Sequence, residues 1–184
     1  MRVIAGSARR LKLKTLEGND TRPTQDIIKE TLFNIIQMEV PGSRFLDLCA
    51  GSGQIGIEAL SRDAREVVFI ENSRKAISII QENLEHTHLV DRAVVLTADV
   101  MIGLSQIEKK GVFQFIYLDP PYKLGLEKNI LTYLSTSRMV DEETVIIVEA
   151  SQKTDFGYLE ELGYQIVKER RYQKNMHLFL KKSN

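Results

Sequence analysis

From residue 44 onward, short apolar runs alternate with longer stretches of helical periodicity, and no other feature constrains the fold as strongly. The runs Arg44–Cys49, Glu66–Glu71, Ala93–Thr97, Phe113–Asp119 and Thr144–Ala150 are continuously apolar rather than alternating. That is the pattern of strands buried on both faces of a parallel sheet. Between them the spacing predicts helices. Ser73 is a good N-cap for a helix over Arg74–Glu85, where Ala76, Ile77, Ile80 and Leu84 share one face. Segments 54–62, 100–110, 125–137 and 155–162 have helical length. Tyr164–Tyr172 and Met176–Lys181 read as two final strands. Their connection, Gln173–Asn175, is too short for a parallel crossover, so they pair antiparallel. The expectation is an α/β chain with a mostly parallel sheet of about seven strands that ends in a hairpin.

The first 43 residues follow a different pattern. Val3–Ala5 and Leu11–Lys14 read as a small hairpin around Gly6–Ser7. Thr24–Glu39 reads as a helix with Ile27, Ile28, Leu32, Ile35 and Ile36 on one face, stopped by Pro41–Gly42. This piece is too small to bury a core of its own. Residues 1–43 are therefore expected to form an extension packed on a main domain of residues 44–184.

A formal net charge of zero conceals a segregation: +4 over residues 1–24, +5 over residues 168–184 and −9 between them. Basic ends on an acidic body suit contact with a polyanion. Arg9, Arg10, Lys12 and Lys14 lie within six residues and are the first candidates for that contact. No apolar run exceeds four residues, so no membrane span is expected. The N-terminal MRVIAGSARR has no secretory pattern, and the single cysteine, Cys49, forms no internal disulfide; both point to the cytoplasm. Cys49 reads as buried and inert. His86, His88 and His177 lack metal-ligand spacing, so they read as surface or helix-end residues and no metal is expected.

Two turns carry the chemistry. The first main strand runs into Asp47-Leu-Cys-Ala-Gly51-Ser-Gly53-Gln-Ile-Gly56. Glycines there allow a sharp turn and close approach of a ligand to the backbone, and the helix that follows presents free N–H groups. Glu71 ends the second strand 20 residues after Gly51, where an acid accepts hydrogen bonds from ribose hydroxyls. Asp47, just ahead of the glycines, would repel a pyrophosphate but suits a cationic ligand end such as that of S-adenosylmethionine. Asp99, after the third strand, is placed either to reach an adenine edge or to cap the next helix.

The second turn is Tyr117-Leu-Asp119-Pro120-Pro121-Tyr122, after the fourth strand. Ligands of open α/β sheets bind outside the carboxyl ends of the strands, so it faces the same crevice. Two prolines stiffen the turn and remove two backbone donors. The Asp119 carboxylate and the Pro120 carbonyl remain as acceptors for an exocyclic amine, and Tyr122 can stack on the base. Acceptors that draw on the amine hydrogens favour pyramidal nitrogen and free its lone pair for a methyl carbon.

These residues resemble the class I S-adenosylmethionine-dependent methyltransferases of exocyclic amines. The chain is most similar to the RsmD-type bacterial 16S ribosomal RNA guanine-N2 methyltransferases. The similarity is carried by Arg2–Gly6 (RVIAG), Arg22–Thr24 (RPT), Glu30–Asn34 (ETLFN), Asp47–Gly53, Glu58–Arg62 (EALSR) and Asp119–Tyr122 (DPPY). Cys49, Asp63, Lys29 and the Tyr172-Gln-Lys turn depart from the family pattern. The resemblance implies a Rossmann-like seven-stranded sheet with the last strand antiparallel and a small N-terminal extension. It implies methylation of one guanine in 16S rRNA, within a small-subunit ribosomal particle. Carried over by position, Asp47, Gly51, Gly53, Glu71 and Asp99 line the cofactor pocket, Asp119, Pro120 and Tyr122 hold the base, and Arg22 lies near the crevice mouth. Two other readings remain: a DNA adenine-N6 methyltransferase, which can share Asp-Pro-Pro-Tyr but needs added surface for sequence readout, and a non-catalytic ribosome-assembly protein that kept the fold.

Overall fold

The computed structural model describes residues 1–16, 23–121 and 125–183, with Pro23 and Thr24 as backbone alone. Arg22 and Tyr122 lie outside the described residues. The strands are β1 (Arg44–Leu48), β2 (Glu66–Glu71), β3 (Ala93–Thr97), β4 (Phe115–Leu118), β5 (Val145–Ser151), β6 (Tyr164–Arg171) and β7 (Asn175–Lys182). They form one sheet in the order β3-β2-β1-β4-β5-β7-β6. All pairs from β3 to β5 are parallel, and β7 is antiparallel to both β5 and β6. This is the Rossmann-like arrangement of class I methyltransferases. The chain winds from β1 to β2 and β3 on one side, then returns through β4 to the other. The direction switches between β1 and β4, which is where open α/β sheets bind ligands.

Helices cover both faces: α1 (Pro23–Ile36), α2 (Gln54–Ser61), α3 (Arg74–Thr87), α4 (Val100–Ile107) and α5 (Leu126–Thr136). Ser73 caps α3 as expected, its side chain accepting from Ala76 N–H. The expected helix over 155–162 is absent. Phe156 to Gly163 form successive tight turns, with N–H bonds from Leu159 to Phe156 and from Gly163 to Glu160. Asp155 accepts the Gly157 N–H, and Gly163 is left-handed at φ +74°. Five residues between two glycines are too few to offset a helix nucleus. The helix expected over Thr24–Glu39 ends at Ile36, and residues 37–39 turn ahead of Pro41.

Two apolar layers flank the sheet. One joins Phe45, Phe69, Phe115, Ile147 and Phe179 to residues of α1, α2 and α3; the other joins Leu46, Val68, Ile116 and Val148 to α4 and α5. The N-terminal segment belongs to the first layer, since Val3, Ala8 and Leu13 are buried with Leu32, Phe33 and Leu60. Its expected hairpin is reduced to a single bridge, Arg2 to Lys12, extended by backbone bonds Val3 N–H to Leu11 and Leu13 N–H to Met1.

A buried charge network fixes this segment. The Glu58 carboxylate, fully buried on α2, accepts from Ile4 N–H at 2.8 Å, Ala5 N–H at 3.0 Å and Arg62 Nε at 2.9 Å. Lys29, also buried, lies 3.4 Å from Glu58 and donates to the Arg2 carbonyl at 2.7 Å. Burial pulls the Lys29 ammonium below its ordinary pKa, and Glu58 works against that. A buried charge persists only with such partners.

Gly6 closes the contact. Its φ is +83°, and a Cβ there would stand 1.7 Å from the Ser61 carbonyl oxygen, which already accepts the Ser7 N–H at 2.8 Å. Gly6→Ala is therefore expected to destabilise the fold by about 2–4 kcal/mol, from left-handed strain plus a backbone clash that no rotamer relieves. The midpoint of urea unfolding reads this; a wild-type midpoint would refute the docking of this loop as described.

Candidate active site

The carboxyl ends of β1, β2, β4 and β5 converge on two adjoining clefts that share Asp119 and Cys49. The first, about 610 Å³, lies between the β2 and β4 ends and is lined by Glu71, Asn72, Asp99, Val100, Pro120 and Leu126, among others. The second, about 380 Å³, lies on the α1 side and is lined by Asp47, Gln25, Gln54, Tyr117, Glu149 and His177, among others.

The glycine turn shapes the wall between β1 and α2. Gly53 precedes α2 in the left-handed region at φ +74°. Gly56 sits where a Cβ would lie 2.2 Å from Cε1 of Phe69, so its absence of a side chain lets α2 lie on β2. Gly51 and Gly53 do not line either cleft; Gly51 instead donates its N–H to Glu71 Oε2 at 2.9 Å. Glu71 is held from a second side as well, its Oε1 accepting from Asn72 and Ser73 N–H at 2.9 and 2.8 Å. The carboxylate expected to meet a ribose is thus fixed in position by three backbone donors.

Asp99 caps α4, accepting from Met101 N–H at 3.0 Å, and is exposed on the same cleft wall as Glu71. The helix-cap reading of this residue is the one its side chain displays. Asp47 is not a free carboxylate at a strand end. It is buried within β1 and accepts from Gly56 N–H at 2.9 Å. Burial raises its pKa to about 8, against the lowering by that bond and with a contribution from Glu71. Cys49 is half-buried rather than buried, on the shared rim of the clefts. Burial and the surrounding acids push its thiol up to about 12, so it stays protonated and unreactive.

His177 departs furthest from expectation. It is neither a surface nor a helix-end residue but is 1% exposed on β7, between β5 and β6. Its Nε2 lies 3.0 Å from Glu149 Oε2, and its Nδ1 3.3 Å from the Tyr172 hydroxyl. Tyr117 donates its hydroxyl to the same Glu149 oxygen at 2.6 Å, and Asn175 donates to Oε1. Sequence reading does not single out Tyr117, Glu149 or His177 as site residues. A signal exists nonetheless: Glu149 and His177 are each the polar member of an otherwise apolar strand, VIIVEA for Glu149 and MHLFL for His177. A charge in such a run is costly unless it is paired or used.

Arg9, Arg10, Lys12 and Lys14 lie apart from both clefts. Arg9, Arg10 and Lys12 are exposed and line an open groove with Arg2, Asp26 and Glu30. Lys14, also exposed, points elsewhere and pairs with Glu82 on α3. Among the described residues there is no group of three or more metal-ligating side chains placed to hold an ion, and no helix is long and apolar enough to cross a membrane.

Residues 1–181 match the family described as "Conserved hypothetical protein 95", the RsmD family. The chain belongs to the RsmD family. Ribosomal RNA small subunit methyltransferase D of Haemophilus influenzae is 33% identical over 83% of this chain and 79% of its own length. YlbH of Bacillus subtilis, described as a candidate rRNA methyltransferase, is 40% identical over 84% of this chain and 85% of its own. In three dimensions, a structure of the Escherichia coli protein yhhF, described as a candidate methyltransferase, is similar with a TM-score of 0.83 at 28% identity. It covers 100% of this chain and 98% of that one. The sheet order, the two adjoining clefts and the Asp-Pro-Pro turn therefore belong to an RsmD family member whose fold is that of methyltransferases.

Proposed function

We propose that the protein is an S-adenosylmethionine-dependent methyltransferase acting on the exocyclic N2 amine of a guanine in 16S ribosomal RNA. The observation that carries this reading is the place of Asp119 and Pro120. Asp119 lines both clefts, and the turn that holds it also lines the cleft of Glu71 and Asp99. A methyl donor on one side and an amine on the other would meet there.

The residues fit the cofactor. The larger cleft pairs a fixed carboxylate, Glu71, with apolar Ile70, Val100 and Leu126, as a ribose and a flat base require. The smaller one holds acceptors that lack donors: the Oε1 atoms of Gln25 and Gln54 are buried without a hydrogen-bond partner. They suit an ammonium group. When bound, the cofactor supplies a methyl on a cationic sulfur. Asp119 and the Pro120 carbonyl then accept the amine hydrogens and orient the nitrogen lone pair, so catalysis is positioning and electrostatics. Tyr122 stacks on the base.

The names of the relatives support rRNA as the substrate class. Residues 1–43 serve as an extension whose exposed Arg9, Arg10, Lys12 and Lys14, with Arg22, contact RNA phosphates, and residues 44–184 carry the chemistry. The assembled small-subunit particle is the expected substrate. The deciding experiment supplies tritiated cofactor with 16S rRNA, DNA or small-subunit particles, followed by digestion to nucleosides. N2-methylguanosine is expected; label in adenine, or in none of the three, refutes the reading.

Glu71→Ala should weaken cofactor binding by about 1–3 kcal/mol, the cost of an unmade hydrogen bond to a charged group. It also releases three backbone N–H groups that Glu71 now holds. Calorimetry showing wild-type affinity in a folded variant would remove Glu71 from the cofactor site.

A further inference from the structure

Strand register brings into one line several groups that the proposed reaction leaves unassigned. Leu118 pairs with Val148, Glu149 with His177, and His177 with Arg170. One residue beyond Leu118 and Val148, Asp119 and Glu149 are neighbours. Asp119, Glu149, His177 and Arg170 thus form a row across β4, β5, β7 and β6. Adjacent strands are about 4.8 Å apart. The first three of these side chains line the same 380 Å³ cavity, and Glu149 is near enough to Asp119 for its charge to act on that carboxyl. Glu149 is held by Tyr117, Asn175 and His177, and His177 in turn by the Tyr172 hydroxyl.

Methylating a neutral amine sheds a proton. The C–N bond forms from the nitrogen lone pair, the C–S bond breaks with its electrons left on sulfur, and the nitrogen becomes positive until one N–H proton departs. We propose that Asp119, Glu149 and His177 form the path by which that proton leaves: Asp119 takes it from the nitrogen while passing its own proton to Glu149, which His177 holds in place as the receiver. The nitrogen keeps the N–H electron pair, and the net change in the protein is protonation of the Glu149 carboxylate. The proton is then released to solvent as product departs. Asp119 touches the amine; Glu149 and His177 act through it as positioning and receiving residues. The inference rests on the amine-methylation reading above.

The electrostatics agree with the geometry. Burial pushes Asp119 well above the usual carboxylate range, and Glu149, Asp47 and Glu127 add to it. Burial also raises Glu149, but the hydrogen bond and charge of His177, with hydrogen bonds from Tyr117 and Asn175, outweigh this and hold it below the usual range. The relay needs one proton on Asp119 and none on Glu149, and these opposite shifts lie in that order. Lys29 of α1 and Cys49 beyond β1 also face this cavity, and Arg170 of β6 acts on Tyr172.

Glu149→Gln, His177→Phe and wild type are compared by single-turnover methyl transfer to small-subunit particles across pH. The wild-type rate should fall only at acid pH, when Glu149 protonates. In Glu149→Gln the rate should drop by about 100-fold, the scale of a lost proton acceptor. Its acid limb should move to higher pH, because Asp119 alone must now be ionised. In His177→Phe the limb should also move up, because Glu149 loses a donor that holds it low. A merely structural role would lower the rate without moving the limb. Infrared spectra of the protein without cofactor supply a second readout. A protonated-carboxyl band that Asp119→Asn removes should be present in wild type at neutral pH, and should titrate away at lower pH in Glu149→Gln. Wild-type rates with an unmoved limb in Glu149→Gln overturn the proposal, and so does absence of that band in wild type. Should Glu149→Gln fail to fold, the His177→Phe limb and the wild-type band decide alone. Failure of the wild type to methylate any guanine amine would instead overturn the amine reading itself.

Discussion

Asp119→Ala is expected to lower the single-turnover rate of methyl transfer by about 10³-fold, the effect of removing one preorganised group that acts mainly in the transition state. Cofactor affinity should stay close to wild type, because the cleft with Glu71 and Asp99 keeps its other walls. The separation matters because Asp119 lines both clefts. A residue serving chiefly the cofactor would raise the cofactor Kd, whereas one serving the amine would depress the chemical step. Asp119→Asn should retain more activity than Asp119→Ala, since its carbonyl can still accept an amine hydrogen. Rapid-quench measurement at saturating cofactor, with calorimetry for binding, separates the two. A wild-type chemical step in Asp119→Ala would remove Asp119 from the base site.

Replacing Arg9, Arg10, Lys12 and Lys14 together with alanine should weaken particle or RNA binding strongly at moderate salt while leaving cofactor affinity intact. Every phosphate that is no longer neutralised lowers the slope of log affinity against log salt by about 0.7–0.9. Arg9, Arg10 and Lys12 share one open groove, whereas Lys14 already pairs with Glu82. The slope should therefore fall by the amount due to roughly three phosphates rather than four, about 2–3 in all. The N-terminal segment is docked through backbone N–H bonds to Glu58 and Ser61, so these surface substitutions should not unfold it. A salt titration, with thermal melts as the control for folding, reads the result. An unaltered slope in a folded variant would move the RNA surface to Arg170, Arg171 and Lys174 of the last hairpin.

The strand runs, the glycine turn and the Asp-Pro-Pro turn are legible in the sequence because each depends on neighbours within a few residues. Continuous apolar runs mark strands buried on both faces, and all seven strands lie within two residues of where periodicity puts them at either end. The largest difference is at the start of β4, which begins two residues late because Phe113 leaves the sheet to bond with Met139. Local signals also mislead. The 155–162 segment has helical length, yet glycines at 157 and 163 and an Asp155 turn break it.

By itself the sequence determined the α/β class and the placing of Glu71 and Asp119 at strand ends. It also decided which residues are polar enough to do chemistry. Only the tertiary structure decided how they meet. Asp47 reads as open to a ligand and is buried, because β1 lies in the middle of the sheet and Gly56 N–H closes over it. His177 reads as peripheral and is central to the second cleft, because β7 inserts between β5 and β6 against the order of the chain. Asp119, Glu149 and His177 stand 30 and 28 residues apart in sequence, and only strand register sets them side by side. Register is fixed by burying every apolar face at once, a condition on the whole sheet that no local window contains.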